Sequence, residues 1–126
     1  MRRVLALALV MSIAAGALAA ESVSIISLVT NPEKYDGKAV IITGFLALDF
    51  EGSAIYLHKE DYEYSIYKNG LWCSISEVKY KSFDHRYVCM EGVFDAKGKG
   101  HLGLWSGEIK DVQRVWQPVR PGKAKN

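Results

Sequence analysis

Two cysteines and three prolines are all that this 126-residue chain holds of either residue. The cysteines, Cys73 and Cys89, are too far apart for a C-x-x-C motif, so a redox-active pair with a depressed thiol pKa is not expected. No cysteine stands directly after the apolar N-terminal run, which leaves a lipid-anchored form without an attachment point. G-x-S-x-G is missing: Ser106-Gly107 lacks the first glycine at the needed spacing, and a nucleophile elbow goes with it. G-x-x-x-x-G-K-[ST] is also missing. Gly98-x-Gly100 sits in a turn with no helix after it, which argues against a phosphate loop. There is no large surplus of one charge, since 16 Lys and Arg stand against 14 Asp and Glu. With 49% hydrophobic and 24% charged residues, the composition excludes collagen, coiled coil and bulk disorder.

What is present begins with a leader. Met1-Arg2-Arg3 forms a positive n-region, Val4 to Ala15 an apolar h-region, and Ala17-Leu18-Ala19 a small-residue cleavage site. Residues 1–19 are therefore expected to be a signal peptide. The alternative is an uncleaved anchor. The apolar run from Val4 to Ala20 has only 17 residues, its distal half Ala and Gly, at the short end for a spanning helix. Cleavage leaves 107 residues, enough for one small domain and too few for two. Arg2 and Arg3 leave with the leader, so the mature chain is neutral. Its body from Ala20 to Gln113 holds 10 basic and 14 acidic residues. That balance speaks against a nucleic-acid partner. The expected location is the bacterial periplasm or the cell exterior, with membrane contact only through the leader before cleavage.

Export changes the reading of Cys73 and Cys89. An even pair in an oxidising space, closing a loop of about 15 residues worth roughly 3 kcal/mol in the chain-entropy model, favours a disulfide. Two buried thiols on neighbouring strands are the alternative.

Along the mature chain, Ser24 is placed to cap a short helix with Ile25, Leu28 and Val29 on one face. Asn31-Pro32 ends it and starts a further turn. Lys38 to Phe50 reads as one long strand interrupted by Gly44, a residue that marks a bulge or bend inside strands. Further strands are expected over Ala54 to His58, Leu71 to Ser76, Arg86 to Asp95 and His101 to about Val115. A polar excursion from Lys59 to Asn69 interrupts them. Five strands of this spacing predict an all-β barrel with a short N-terminal helix. Val40-x-Ile42-x-Gly44-Phe45-Leu46 is echoed 48 positions later by Val88-x-Met90-x-Gly92-Val93-Phe94, as if two bent strands do one job. Residues 20–116 are thus the domain, and 117–126 a basic, Pro/Gly-rich tail expected to be disordered.

Asn31-Pro32-Glu33-Lys34-Tyr35-Asp36-Gly37-Lys38, followed by Val40-x-Ile42-x-Gly44, resembles the opening of OB-like domains in small bacterial proteins. Tyr56-Leu57-His58-Lys59-Glu60-Asp61-Tyr62, Asn69-Gly70-Leu71-Trp72 and Gly100-His101-Leu102-Gly103-Leu104-Trp105-Ser106-Gly107 are similar to one widespread family of that group, over about Val23 to Val115. The resemblance implies a five-stranded OB-like barrel, that is, the oligonucleotide/oligosaccharide-binding type. It implies no catalytic residue, because the family has no assigned function. It also implies an apolar residue where this chain has Cys73 or Cys89.

Three site readings follow from the residues. Tyr56, Tyr62, Tyr64 and Tyr67, close to Trp72 and with Trp105 on the last strand, suit an aromatic platform; the alternative is that they complete the core. The excursion is polar enough to hold three of the tyrosines outside, whereas Trp72 and Trp105 are expected inside. His58, Glu60, Asp61 and His101 carry ligand types that suit zinc, although His58-x-Glu60-Asp61 matches no strong motif and an ordinary solvated turn explains it. Asp49 and Glu51 form a carboxylate pair of the kind any acidic turn shows. The leading expectation is a non-catalytic module without a cofactor, binding a peptide, a protein or an envelope saccharide. A small metal-dependent enzyme is the alternative. For the leader, N-terminal sequencing of exported protein should begin at Ala20. Recovery of membrane-embedded chain beginning at Met1 would overturn cleavage.

Overall fold

A computed structural model of the chain describes residues 19–122. The leader, apart from Ala19, and the last four tail residues lie outside the described residues. A two-residue strand, β1 (Glu21–Ser22), precedes the cap and pairs in parallel with the next strand. Both residues are exposed, so they carry no alternation that predicts a strand. Ser24 then caps α1 (Ile25–Thr30) as expected, its hydroxyl accepting the Ser27 N–H at 3.1 Å. A helix this short does not persist alone. It is held by Ile25 and Leu28, both buried against the barrel. Pro32 opens α2 (Pro32–Tyr35), although Asn31 makes no side-chain cap.

The barrel is formed by β2 (Ala39–Ala47), β3 (Ala54–Tyr56), β4 (Gly70–Cys73), β5 (Arg86–Asp95) and β6 (Glu108–Trp116). β2, β3 and β4 are an antiparallel meander. β4 then runs parallel to β6, β6 antiparallel to β5, and β5 antiparallel to β2, which closes the ring. This is the expected all-β, five-stranded OB-like barrel with a short N-terminal helix. Among the described residues no helix is long and apolar enough to cross a membrane.

Period-two alternation decides what lies inside. Val40, Ile42 and Leu46 of β2, Ile55, Leu71, Val88, Met90, Phe94 and Ile109 fill the interior, with α1 and Tyr35 packed onto the same cluster. Each fully buried aliphatic side chain contributes about 1.5–3 kcal/mol. The opposite face of the β2–β3 pair is covered as well. Phe45, Ala47, Ala54 and Tyr56 form a second buried cluster with Trp105, beneath α3 (Lys59–Glu63) and the segment leading into β6.

The same alternation overturns the expected disulfide. Cys73 points into the core, its sulfur 3.9 Å from the Met90 sulfur. Cys89, between the buried Val88 and Met90, points out of the barrel toward Thr43 Oγ1 at 3.4 Å. Both thiols are free, and burial pushes the Cys73 pKa well up. The last strand also starts later than expected. Leu102 has φ 57°, and Gly100 and Gly103 φ 65°, so His101–Gly103 winds as a 3-10 turn and β6 begins only at Glu108. β2, expected to run to Phe50, stops at Ala47, because the Leu48 N–H turns to the Asp84 carboxylate at 2.8 Å.

The two echoed motifs lie side by side, antiparallel, so that Val40 faces Gly92 and Gly44 faces Val88. A β-carbon on Gly44 would sit 2.5 Å from the Tyr56 carbonyl and 2.7 Å from Ile25 Cδ1; on Gly92 it would meet Ile109 Cγ2 at 2.7 Å. Gly92 also stands where the β5–β6 register shifts, while the β2–β5 register runs unbroken through Gly44. Close approach is therefore the shared reason for glycine, and an irregularity in the partner strand applies only at Gly92. Gly44→Val and Gly92→Val should each destabilise by about 1–3 kcal/mol through overpacking. Denaturant unfolding checks this, and a variant with the wild-type midpoint would refute it for that position.

Candidate functional site

The β3–β4 excursion is braced by Asp61. Its carboxylate accepts the His58 N–H at 2.9 Å through one oxygen and the Asn69 side-chain amide at 2.9 Å through the other. An N3 acid reaching back to the N-cap N–H is half of a capping box. Asp61 is accordingly 6% exposed. This brace fixes the next residue, Tyr62, whose ring packs on Tyr56 (5.7 Å), Phe45 (5.9 Å) and His85 (5.1 Å). Its hydroxyl lies 3.2 Å from His85 Nε2.

The segment between β5 and β6 is braced by another carboxylate. Asp95 accepts the N–H groups of Lys97 at 2.9 Å and Gly98 at 3.1 Å, and pairs with Lys110 Nζ at 3.1 Å. The Lys97 N–H first, then Lys110, holds its carboxyl below the usual range. Further along, Ser106 Oγ donates to the Lys68 carbonyl at 2.6 Å and ties this segment to the excursion. Trp105 is thereby delivered against Tyr67 (5.0 Å) and Trp72 (4.9 Å), and its indole N–H donates to the Tyr56 hydroxyl at 3.2 Å.

Between these two segments and the β2–β3 turn lies a cleft of about 510 Å³. Tyr62, Tyr67 and Trp105 wall it, and Asp49, Glu51 and Glu63 make it acidic. No lysine or arginine lines it. Three non-glycine residues around it hold left-handed backbone: Glu51 (φ 53°), Ser65 (φ 55°) and Leu102 (φ 57°). Such conformations cost of order 1–3 kcal/mol each and cluster at binding loops. Desolvation first, and then Asp49 beside its hydroxyl, pushes the Tyr62 pKa up to about 12.

The sequence-predicted residues divide accordingly. Tyr62 and Tyr67 line the cleft. Tyr56 borders it but is 2% exposed, a core residue whose hydroxyl is taken by Trp105. Tyr64 is 77% exposed and does not line it. Trp105 is buried as expected, yet it also forms a wall. The metal set does not assemble: Asp61 is consumed as a brace, His58 and Glu60 are exposed, and His101 belongs to the opposite segment. Among the described residues no three His, Cys, Asp or Glu side chains are grouped to hold an ion. Sequence reasoning missed His85 and Glu63, and passed over Asp49 and Glu51 as ordinary turn acids. Nothing in their local spacing distinguishes them; only the barrel's closure brings the three segments together.

The raised Tyr62 pKa makes a testable statement about pH. Below about pH 10 the phenol is neutral in both the folded and unfolded chain, so its full contribution is present. Between about pH 10 and 12 the unfolded chain ionises first, and stability falls as pH rises. Tyr62→Phe should flatten this decline in urea unfolding followed across that window, and should reduce the late part of the tyrosinate absorbance titration, to which buried Tyr56 also contributes. A variant whose stability declines as steeply as wild type across that window would refute the assignment. No family model matches the chain, and no curated protein or solved structure matches it either.

Proposed function

We propose that this chain is an exported, non-catalytic OB-like module that binds a peptide, a protein segment or an envelope saccharide in the Tyr62–Tyr67–Trp105 cleft. The observation that carries the reading is the cleft's composition: aromatic walls, carboxylates at its edge and no lysine or arginine. It lies against the β3 face and between connecting segments, the kind of place where OB barrels take their ligands. A nucleic-acid groove combines stacking aromatics with positive charge that tracks the phosphates. Here Asp49, Glu51 and Glu63 would repel phosphates, so nucleic acid is the wrong partner. Carboxylates and aromatic rings suit sugar hydroxyls and ring faces, or the amides and cationic side chains of a peptide.

Of these ligands, a peptide is favoured by two residues beside the cleft. Phe50, on the β2–β3 turn, is 87% exposed, and Leu102, on the opposite segment, 79%. Apolar side chains standing in water on facing loops are suited to covering a partner's apolar side chain. Export to the periplasm or the cell exterior rests on the Arg2-Arg3 leader and the Ala17-Leu18-Ala19 site. Kinship with the small bacterial OB-like proteins rests on the motifs from Asn31 to Gly107, and both belong to the same proposal.

Trp105 supplies the readout. Indole fluorescence should change saturably when a Lys- and Leu-containing peptide or an N-acetylglucosamine oligosaccharide is titrated in, and not when a thymidine oligonucleotide is. Tyr62→Ala and Tyr67→Ala should each weaken binding by about tenfold or more, in the range of interface anchors, whereas Tyr64→Ala should leave it unchanged. Saturable binding of the oligonucleotide alone would overturn the reading.

A further inference from the structure

Across the Phe45–Tyr62 contact from the acidic cleft lies a second one, of about 380 Å³, with the opposite sign. Its lining includes Lys59, His85, Arg86 and Arg120 around the rings of Phe45 and Tyr87, and no carboxylate. Two of these side chains are already engaged. Lys59 Nζ pairs with Glu63 at 3.3 Å, and His85 Nδ1 lies 2.9 Å from Asp84. Arg86 and Arg120 are not: among the described residues neither has a carboxylate partner. Guanidinium groups are planar forks that match an oxyanion with two parallel hydrogen bonds.

The rest of the cleft is held in place before any ligand arrives. Phe45 is buried and meets Tyr87 edge-on at 5.5 Å. The Tyr87 hydroxyl accepts the Lys59 N–H at 3.0 Å, which fixes the ring while leaving it 42% exposed. His85 stands at φ 56°, its ring edge-on to Phe45 at 6.0 Å and its Nε2 against the Tyr62 hydroxyl. On the remaining side, Gln117, Pro118 and Arg120 continue from the end of β6, where Trp116 pairs with Cys89. A partly exposed aromatic ring with a fixed orientation, beside two arginines that have no carboxylate partner among the described residues, is suited to a ring that carries an oxyanion.

We propose that this cleft is a separate anion site, taking a ring-bearing phosphate with the oxyanion on Arg86 and Arg120 and the ring against Tyr87. The proposal does not depend on the acidic cleft having a ligand. The overall charge balance does not oppose it, because a local pair of guanidiniums sets the field at contact distance and more distant exposed charges are screened.

The test is calorimetric titration of the mature chain with phenyl phosphate, with phenol and inorganic phosphate as controls. Phenyl phosphate should bind saturably and more tightly than either control, and added salt should weaken it. Arg86→Ala and Arg120→Ala should each reduce affinity by about tenfold or more, the scale of a lost charge-assisted hydrogen bond. Arg86→Lys should recover part of the loss, because it restores charge without the fork. Both arginines are exposed, so melting temperatures of the variants should match wild type and exclude misfolding as the cause. Tyr67→Ala, in the other cleft, should have no effect, which keeps this site's failure distinct from failure of the peptide or saccharide reading. Sedimentation with phosphatidylinositol vesicles, whose headgroup carries a ring on the phosphate, displaced by phenyl phosphate, would assign the phosphate to a lipid headgroup; absence of sedimentation would assign it to a free ligand. Phenol binding as tightly as phenyl phosphate, or affinity unchanged in both arginine-to-alanine variants, would overturn the proposal.

Discussion

The close crossing of β2 and β3 at Gly44 is the contact on which the rest of the barrel depends. There the Tyr56 carbonyl and the tip of Ile25 occupy the space a β-carbon would need. From that point to Ala47 both faces of β2 are buried. One face belongs to the barrel interior, and the other to the cluster under α3. A strand buried on both sides in a domain this small is unusual, because there is little chain to cover the outside. The excursion after β3 and the segment before β6 provide that cover, and in doing so they become the walls of the acidic cleft. The cleft is therefore a consequence of how the second cluster is roofed.

The roof is held by polar contacts as much as by apolar ones. Asp61, with both oxygens occupied, keeps the excursion folded back. Trp105 is fixed by its indole hydrogen bond to Tyr56, by its backbone N–H on the Lys99 carbonyl, and by edge contacts with Tyr67 and Trp72. A buried acceptor such as the Tyr56 hydroxyl is expensive to leave unmatched, on the order of 1–3 kcal/mol. Core and site share this residue. Its ring completes the packing, while its oxygen sets where Trp105 stands, so the two functions of the cluster are not separable at Tyr56 as they are at Tyr64.

How much of this was legible in the sequence varied with how local the cause was. β5 runs from Arg86 to Asp95 as expected, because alternation through Val88, Met90, Gly92 and Phe94 is uninterrupted. The Ser24 cap was equally legible, since capping needs only a hydroxyl and a following N–H. The echo of the two V-x-Φ-x-G motifs (Φ, an apolar residue) hinted at a shared task, and the task is to pair with each other. The disulfide was misread for a physical reason: compartment and loop length were considered, but not the face each cysteine takes, and alternation separates Cys73 from Cys89. The late start of β6 was hidden because Leu102 adopts left-handed backbone that its residue type does not announce. The cleft itself was only half legible. Its aromatics drew notice by density, but Asp49, before the β2–β3 turn, and Glu63, at the end of α3, look ordinary until closure gathers them.

Net charge was informative only down to a certain scale. A chain with 16 bases against 14 acids looks bland, and the slightly acidic stretch from Ala20 to Gln113 led to no expectation of a polyanionic partner. Yet the fold sorts these charges into two clefts of opposite sign, with Tyr62, Phe45 and His85 between them. His85 touches both neighbourhoods, one ring nitrogen on Asp84 and the other on the Tyr62 hydroxyl. Because exposed charges are screened over about 8–10 Å at physiological salt, what a ligand meets at the surface is the local set and not the sum. The sorting arises from topology. The β2–β3 turn and the excursion bring the acids to one side, while the start of β5 and the residues after β6 bring the arginines to the other. Closure of the barrel at β2–β5 is what keeps the two sets apart.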